Sequence, residues 1–323
     1  MAVPTYTISG FLGSGKTTVL LKMIEECEKN HRRLGVILNE LGDVNIEKPL
    51  FKEQNVKELL NGCICCTIKE DLKSTLDEFI KEMHSNKLDL LFIEGTGVSN
   101  PLEVKRVLED PIYAAHFDLI SMISLIDSST FLEYQSIFSS TADMRKLLEE
   151  QITSADIILL NKQDLAKEKV LNKSIKKIRG LVGESVPIFQ TSHGNVPLSE
   201  LFKRRNGHLP NSIHSDIREE TNHSHHHHHH HSGLHAVKID PGPTIKKHDL
   251  ENWLSHLPKA VLRGKGVINL EGSEGLYSFQ LASNTLIFEK IPHPAGMRPA
   301  IILIGDQLKE TELLNSFNRL VKA

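Results

Sequence analysis

A glycine-rich segment between a short apolar run and an amphipathic stretch constrains the fold of this chain more than any other feature. It reads Gly10-Phe-Leu-Gly-Ser-Gly-Lys-Thr-Thr18 and matches the phosphate-binding pattern of a strand, a loop and a helix. The glycines let backbone N–H groups approach phosphate oxygens, and the positive end of the following helix attracts negative charge. The segment therefore predicts a nucleotide site where the first strand ends.

The residues of this loop differ in what they offer a nucleoside triphosphate. Lys16 is long enough to reach the β- and γ-phosphates, and the hydroxyl of Thr17 is a suitable Mg²⁺ ligand. We expect these two residues to take part in catalysis. The predicted phosphate-binding residues are Gly10, Gly13, Ser14, Gly15, Lys16, Thr17 and Thr18.

A second apolar run, Leu88–Ile93, ends in an acidic residue and a glycine-rich turn, Glu94-Gly-Thr-Gly97. A carboxylate at the tip of a buried strand beside the phosphate loop is suited to hold Mg²⁺ through water, so Glu94 is the third candidate catalytic residue. We expect Gly97 to offer its N–H group to the γ-phosphate. The alternative is a solvated glutamate at a strand end.

The choice of base is predicted by the tetrapeptide Asn161-Lys162-Gln-Asp164, which follows the apolar run Ile157–Leu160. An aspartate at this point can accept hydrogen bonds from the N1–H and amine of guanine, with Asn161 at the opposite edge of the base. Adenine lacks the N1–H donor. We therefore expect Asn161, Lys162 and Asp164 to select GTP, although the same tetrapeptide also occurs in surface turns.

Three of the four cysteines are crowded into one short segment, as Cys63, Cys65 and Cys66. Such clusters in intracellular proteins are more often metal or redox sites than disulfide frameworks. Thiolates favour zinc, cobalt(II) or copper(I) over magnesium, and Cys63 and Cys66 have the spacing of a metal knuckle. A tetrahedral zinc held by two or three of these thiolates needs one or two further ligands.

The candidates for those ligands are Glu40 and Asp43, which follow the second predicted strand in a loop expected to sense the γ-phosphate. If this loop also completes the metal shell, GTP and metal change each other's affinity by the same factor. Two other interpretations stay open, a thiol–disulfide switch between Cys63 and Cys66 and a purely structural zinc.

Apolar runs alternate with longer amphipathic stretches over residues 1–203, which predicts an α/β fold, a P-loop NTPase domain with a mostly parallel sheet. The predicted strands are Tyr6–Ser9, Leu34–Leu38, Leu88–Ile93, Leu119–Ile126, Ile157–Leu160 and Val186–Phe189. In the first helix, Leu20, Met23, Ile24 and Cys27 have the spacing of a buried face. This makes Cys27 a core residue and not a fourth metal ligand.

Periodicity stops over residues 204–234, which are polar, charged and rich in histidine, with His223 and the unbroken run His225–His231. We interpret this segment as a flexible linker spanning roughly 30 Å, whose imidazoles collect metal ions. A merely solvated spacer is the alternative.

Periodic structure resumes over residues 235–323, beginning with His235–Ile239. The pattern predicts a small α+β domain of at least four strands, with helices at Asp249–Leu257 and from Gln307 onward. The predicted strands are Val261–Leu270, Tyr277–Leu281, Leu286–Ile291 and Ala300–Ile304.

Charge and hydropathy limit the classes of partner. The 38 basic and 41 acidic residues give a formal charge of -3, so no global field would recruit nucleic acid or an anionic membrane. No apolar run approaches the ~20 residues of a membrane span, and the N-terminus shows no signal segment. We therefore expect a cytoplasmic protein whose partners are selected by local sites.

The motifs together resemble those of the CobW-type metallochaperone P-loop GTPases of the SIMIBI class, relatives of the urease and hydrogenase nickel-insertion GTPases. The shared segments are GFLGSGKTT at 10–18, NELGDV at 39–44, GCICCT at 62–67, EGTG with Pro101 at 94–101, QITSADIILLNKQDL at 151–165, LRGKG at 262–266 and MRPAIILIG at 297–305. Leu41 and Asp43 stand where many members have phenylalanine and glutamate.

The resemblance implies a GTPase domain with a small C-terminal domain, slow metal-responsive GTP hydrolysis, and zinc as the commonest cargo, with cobalt as an alternative. It also implies a client metalloprotein or cobalamin-pathway enzyme as partner, and a GTP-dependent homodimer. Two other functions compete with this one. A P-loop kinase would need an acceptor pocket and usually a basic lid. We find no such lid in the sequence, and Asn161–Asp164 favours guanine. A metal storage or sensing protein would hydrolyse GTP only incidentally.

Overall fold

The computed structural model describes residues 2–41, 55–61, 68–83, 87–138, 140–205, 234–258, 260–282, 285–291 and 299–321. The chain divides into two compact units, and its described residues contain two sheets, one of seven strands and one of five. The predicted linker with its histidine run is almost entirely outside the described residues, so the predicted domain boundaries stay predictions.

The larger sheet is formed by strands that alternate with helices along the chain. Its strands are β1 (Val3–Gly10), β2 (Leu34–Leu41), β3 (Asn55–Asn61), β4 (Leu90–Glu94), β5 (Phe117–Asp127), β6 (Ile157–Asn161) and β7 (Ile188–Gln190). The helices between and after them are α1 (Lys16–Lys29), α2 (Ile68–Met83), α3 (Pro101–Leu108), α4 (Pro111–Ala114), α5 (Phe131–Tyr134), α6 (Ala142–Thr153), α7 (Glu168–Val182) and α8 (Leu198–Leu201).

The strand order is β3-β2-β4-β1-β5-β6-β7, and β1 pairs in parallel with both β4 and β5. The pairs β5–β6 and β6–β7 are parallel as well. Parallel strands present their carboxyl ends at one edge of the sheet. Four adjacent strands end there on residues that matter for the site, namely Gly10, Glu94, Asp127 and Asn161.

Burial on both faces explains why these strands read as continuous apolar runs, because every residue of β4 and β6 is buried. One face of α1 buries Leu20, Met23, Ile24 and Cys27. Cys27 is 5% exposed, and burial raises the pKa of its thiol to about 11. The predictions of a mostly parallel α/β fold and of a core role for Cys27 are therefore confirmed.

Some predicted boundaries were wrong for local reasons. Strand β3 was not predicted. Strand β4 begins at Leu90 and not at Leu88. Just before and at this start, the backbone N–H groups of Asp89 and Leu90 both donate to the carbonyl of Arg33, the residue before β2. Strand β7 begins at Ile188, directly after Pro187, which has no N–H group for a ladder.

The smaller sheet belongs to an α+β arrangement, as predicted. Its elements are β8 (Leu234–Ile239), α9 (Lys247–Ser255), β9 (Val261–Asn269), β10 (Leu276–Ala282), β11 (Thr285–Ile291), β12 (Ala300–Asp306) and α10 (Glu310–Val321). The strand order is β11-β10-β9-β12-β8, and neighbouring strands are antiparallel.

Aromatic packing joins the two helices of this arrangement. The rings of Trp253 in α9 and Phe317 in α10 pack edge to face, with their centroids 4.9 Å apart. The Trp253 indole N–H donates to Ser316 Oγ at 2.9 Å. The last helix begins at Glu310 and not at Gln307, because Gln307 has a φ of +50°. Helix α9 begins and ends two residues earlier than predicted.

Among the described helices, none combines the length and the apolar character that a membrane span requires.

Candidate nucleotide-binding site

The glycine-rich loop between β1 and α1 has a backbone that only glycine adopts easily. Gly10, Gly13 and Gly15 have φ angles of +136°, +74° and +102°, in the region where a side chain is strained. Space is short as well. A Cβ atom on Gly10 would lie 2.2 Å from the Leu125 carbonyl oxygen, and one on Gly15 would lie 2.5 Å from Asn161 Nδ2.

Lys16, the first residue of α1, lies over this loop. Its side chain is buried, and its ammonium donates to the carbonyl oxygens of Gly10 at 3.0 Å and Phe11 at 3.2 Å. The positive charge is thereby held at the mouth of the loop, where phosphate oxygens would provide charged acceptors.

Thr17 and Glu94 meet across the ends of β1 and β4. Thr17 Oγ1 donates to Glu94 Oε1 at 2.9 Å, and Glu94 is only 6% exposed. A hydroxyl and a carboxylate are hard oxygen donors of the kind that Mg²⁺ prefers. The two residues predicted to share a magnesium ion are thus in direct contact, and their chemistry fits that ion. Thr18, also predicted, is exposed on the next position of α1.

The turn after Glu94 packs tightly against the glycine-rich loop. Gly95 N–H donates to the Ile8 carbonyl at 2.9 Å. A Cβ atom on Gly97 would lie 2.6 Å from the backbone nitrogen of Leu12, so no other residue fits here without displacing the loop. Gly97 is therefore beside the loop, as its predicted phosphate contact requires.

Asn161 connects the glycine-rich loop to the loop after β7. Its Nδ2 donates to the Ser14 carbonyl at 2.8 Å, and its Oδ1 accepts from Gly194 N–H at 3.0 Å. It is 2% exposed. Both polar atoms have protein partners, so Asn161 holds the two loops together. Because Nδ2 carries a second N–H group, the expected contact of Asn161 with the edge of the base stays a prediction.

Asp164 is exposed, next to the loop after β7. A hydrogen bond from the Ser192 side chain holds the pKa of Asp164 below its ordinary value. The carboxylate therefore stays ionised at neutral pH and is ready to accept hydrogen bonds from a base.

Sequence reasoning missed Asp127 and the loop after β7. Asp127 is buried at the end of β5 and lies 2.8 Å from the Lys162 ammonium. Lys22 of α1 donates to the His193 carbonyl at 2.6 Å and to Asn195 Oδ1. Asp127 had a detectable signal, because it ends an apolar run in the same way as Glu94 and Asn161, whereas nothing local marks Lys22.

Most of the predicted zinc ligands fall in segments that the structure does not describe. Cys63, Cys65, Cys66 and Asp43 lie outside the described residues, as do the histidines of the run 225–231, and Glu40 is described only as part of β2. In the parts of the chain that the structure describes, no three His, Cys, Asp or Glu side chains cluster closely enough to hold a metal ion.

Several curated proteins are similar to this chain. Zinc-regulated GTPase metalloprotein activator 1 of Dictyostelium discoideum is 32% identical over 62% of this chain and 48% of its own length. Zinc chaperone CobW of Pseudomonas aeruginosa is 28% identical over 62% of this chain and 59% of its own length. Zinc chaperone YjiA of Escherichia coli is 26% identical over 98% of both chains. This chain thus covers less than two thirds of the first two proteins and nearly all of the third.

Two family descriptions match two separate parts of the chain. The CobW/HypB/UreG nucleotide-binding domain matches residues 4–190, which hold the glycine-rich loop, the Thr17–Glu94 contact and Asp164. The cobalamin synthesis protein CobW C-terminal domain matches residues 235–321, which hold the smaller sheet. The predicted resemblance is confirmed: this chain belongs to the CobW/HypB/UreG family.

Proposed function

We propose that this chain is a GTPase that binds zinc at its cysteine cluster and transfers it to a client protein in step with the GTP cycle. The observation that carries the proposal is the Thr17–Glu94 contact beside the buried Lys16 ammonium. It joins a phosphate loop to a magnesium-type oxygen pair in one place. The names of the similar proteins, zinc chaperones and a zinc-regulated GTPase, support the cargo.

The triphosphate would lie in the glycine-rich loop, with the N–H groups at the start of α1 directed at its oxygens. Lys16 would stabilise negative charge on the β- and γ-phosphates. Thr17 and Glu94 would hold Mg²⁺, which supplies charge neutralisation on the phosphates when bound. The hydrogen bond from Thr17 Oγ1 to Glu94 Oε1 keeps these two oxygen groups together at the place where the ion would be held.

Guanine would be selected by Asp164. Its ionised carboxylate can accept from both the N1–H and the exocyclic amine, and Ser192 holds it in position. An adenine base offers neither donor in that arrangement, so a site built around Asp164 would reject ATP.

Zinc would bind to the thiolates of Cys63, Cys65 and Cys66, since soft sulfur ligands favour zinc over magnesium. Glu40 is a candidate further ligand, and cobalt is an alternative cargo. Glu40 is in β2, at the start of the segment expected to sense the γ-phosphate. If this segment also completes the metal shell, GTP and zinc alter each other's affinity by the same factor.

The remaining parts of the proposal concern the cell. A client metalloprotein or an enzyme of cobalamin metabolism would receive the metal, and the near-neutral charge argues against nucleic acid or a membrane surface as partner. We place the protein in the cytoplasm and expect a homodimer that forms with GTP, which light scattering with a non-hydrolysable analogue would test.

The linkage is tested by measuring zinc affinity in competition with a chromogenic chelator, once with GDP and once with a non-hydrolysable GTP analogue. A difference of about fivefold or more is expected for a coupling of ~1 kcal/mol. Equal affinities would contradict coupled delivery. Lys16→Ala separates delivery from storage: a chaperone variant binds zinc and fails to activate its client, whereas a storage protein is unaffected.

A further inference from the structure

A buried glutamine holds the turn that follows Glu94. Gln151, in the last turn of α6, is 1% exposed. Its Nε2 donates to the carbonyl oxygens of Gly97 and Ser99, each at 3.3 Å. The side-chain amide therefore spans both ends of a three-residue stretch beside the nucleotide loop.

The opposite end of this amide is different. Gln151 Oε1 is buried and has no hydrogen-bond partner among the described atoms. Two carbonyl acceptors fix the orientation of the amide, because the reverse orientation would point Oε1 at two other oxygens. A buried acceptor without a partner costs stability, so the contribution of this side chain comes from its two N–H donors, both of which bond the turn after Glu94.

The phosphate loop packs closely against Gly97. A Cβ atom at this position would lie 2.6 Å from Leu12 N and 2.7 Å from Leu12 Cα. The Gly97 peptide is thus confined between the backbone of the loop and the Gln151 amide. A shift of the turn toward or away from a phosphate must either stretch the Gln151 bonds or move Leu12.

Helix α6 is itself anchored on both sides of Gln151. The preceding residue, Glu150, accepts from Asn100 Nδ2 at 2.9 Å. Just after the helix, Asp156 Oδ2 accepts from Met122 N–H of β5 at 2.9 Å. The side chain of Gln151 therefore projects from a fixed support, which a positioning residue requires.

We propose that Gln151 is a positioning residue for recognition of the terminal phosphate, which acts by fixing the Gly97 peptide against the phosphate loop. This inference rests on the proposed GTPase function and adds to it the element that distinguishes GTP from GDP. Gln151 does not touch nucleotide. It limits the freedom of the one turn whose N–H group is expected to meet the γ-phosphate.

The consequence is a selective loss of affinity when the amide is removed. Gln151→Met keeps an unbranched side chain of similar length and removes the amide with its two N–H donors. The Oε1 atom that is also removed has no partner in the described part of the chain. The turn is then less ordered before nucleotide binds, and the free energy needed to order it weakens binding of the γ-phosphate. We expect the affinity for a non-hydrolysable GTP analogue with Mg²⁺ to fall about tenfold and kcat to fall similarly. GDP affinity should change less than twofold.

Gln135→Met is the matched control. Gln135 is also buried, at 5% exposure, and its Nε2 donates to a single carbonyl, that of Arg145, at 3.3 Å. This variant should keep the wild-type ratio of GDP to analogue affinity. A role of Gln151 in folding alone would instead lower the melting temperature and weaken both nucleotides equally, and that result would overturn the proposal, as would an unchanged ratio.

Gln151→Asn provides a second variant, because it retains the amide but is too short to reach both carbonyls, and it should also lose the selectivity. Should neither variant fold, the wild-type protein decides. With glutamine labelled by ¹⁵N, the Gln151 side-chain N–H signals should exchange slowly with water and shift when the analogue replaces GDP. Fast exchange in both states would overturn the proposal.

Measurements on wild-type protein separate the role of Gln151 from the proposed GTPase function. If wild-type protein neither hydrolyses GTP nor separates the analogue from GDP, the proposed function fails and the role of Gln151 with it. If wild-type protein does both and Gln151→Met matches it, only the role of Gln151 is refuted.

Discussion

The ammonium of Lys162 lies 2.8 Å from Asp127 Oδ2, and this ion pair joins the carboxyl ends of two neighbouring strands. The other oxygen of Asp127 accepts from the N–H and hydroxyl of Ser129 at 2.9 and 2.5 Å, so the carboxylate is fixed. Lys162 has a φ of +59°, an unfavourable conformation for a lysine. Asp127 thus stabilises the strained residue that comes two positions before the predicted guanine-binding Asp164.

We expect Asp127→Asn to weaken GDP and GTP alike by about tenfold, since the loop that carries Asp164 loses its charged support. Titration with a fluorescent guanine nucleotide measures this. The control is Asp118→Asn at the opposite end of β5, which removes an exposed pair with Arg204 and should leave nucleotide affinity unchanged. Equal effects of the two substitutions would contradict the role of Asp127.

Thr17→Ala removes the hydroxyl that meets Glu94, and Thr17→Ser keeps it. GTP hydrolysis should fall by roughly 100-fold or more in the alanine variant and remain near wild type in the serine variant. Rates measured over a range of Mg²⁺ concentrations test this. With EDTA present, GDP binding should be the same in all three proteins. A serine variant as inactive as the alanine variant would show that the methyl group matters and not the oxygen.

The pH dependence of guanine binding follows from Asp164. The pKa of Asp164 is held below its ordinary value chiefly by the Ser192 hydrogen bond. The two N–H donors of guanine need both oxygens of the ionised carboxylate as acceptors. Affinity should therefore be constant from neutral pH down through the ordinary carboxyl range and be lost only as pH falls through the depressed pKa. Ser192→Ala should move that loss to higher pH, as GDP titrations at a series of pH values would reveal.

Substitution by alanine should have opposite results at two glycines with different surroundings. Gly15→Ala places a Cβ atom 2.5 Å from Asn161 Nδ2 at a φ of +102°, so nucleotide affinity should fall by tenfold or more, for about 1–3 kcal/mol of strain. Gly180→Ala meets nothing within 4 Å in α7. It should raise the free energy of unfolding by about 0.5–1 kcal/mol, measured with urea, and leave binding unchanged.

Zinc binding should depend on three cysteines and not on the fourth. Replacing Cys63, Cys65 and Cys66 together by serine should abolish tight zinc binding in metal analysis after dialysis. Cys27→Ala should keep it, because the buried thiol has a pKa of about 11 and is not a thiolate at neutral pH. Its effect should be on stability, a loss of about 1 kcal/mol. Zinc loss in Cys27→Ala would contradict this division.

Much of the site was predictable because its determinants are local. The glycine-rich loop, Glu94 and Asp164 each follow an apolar run at a short distance, and the alternation of such runs with helical patterns predicts a parallel sheet. A parallel sheet brings the ends of its strands to one edge. The contact between Thr17 and Glu94, 77 residues apart, could be anticipated on that basis.

Other features could not be read from local pattern. The bond from Asn161 Nδ2 to the carbonyl of Ser14, 147 residues away, has no local signature. Strand β3 carries a charged, weakly apolar sequence, Asn-Val-Lys-Glu-Leu-Leu-Asn, whose place at an edge of the sheet compensates for its composition. The clamp of Gln151 on Gly97 depends on how α6 packs, and a glutamine in an amphipathic helix has no signature of its own.

The amino-acid sequence alone determined most of the strands and helices, the candidate segments for phosphate and guanine, and the thiols that are candidates for metal, because propensity, periodicity and short motifs act within a few neighbouring residues. Tertiary structure decided which polar side chains form hydrogen bonds within the protein and which are available to a ligand. That division depends on distances between residues far apart in the chain, since a hydrogen bond forms only when burial and geometry bring its two partners within about 3 Å.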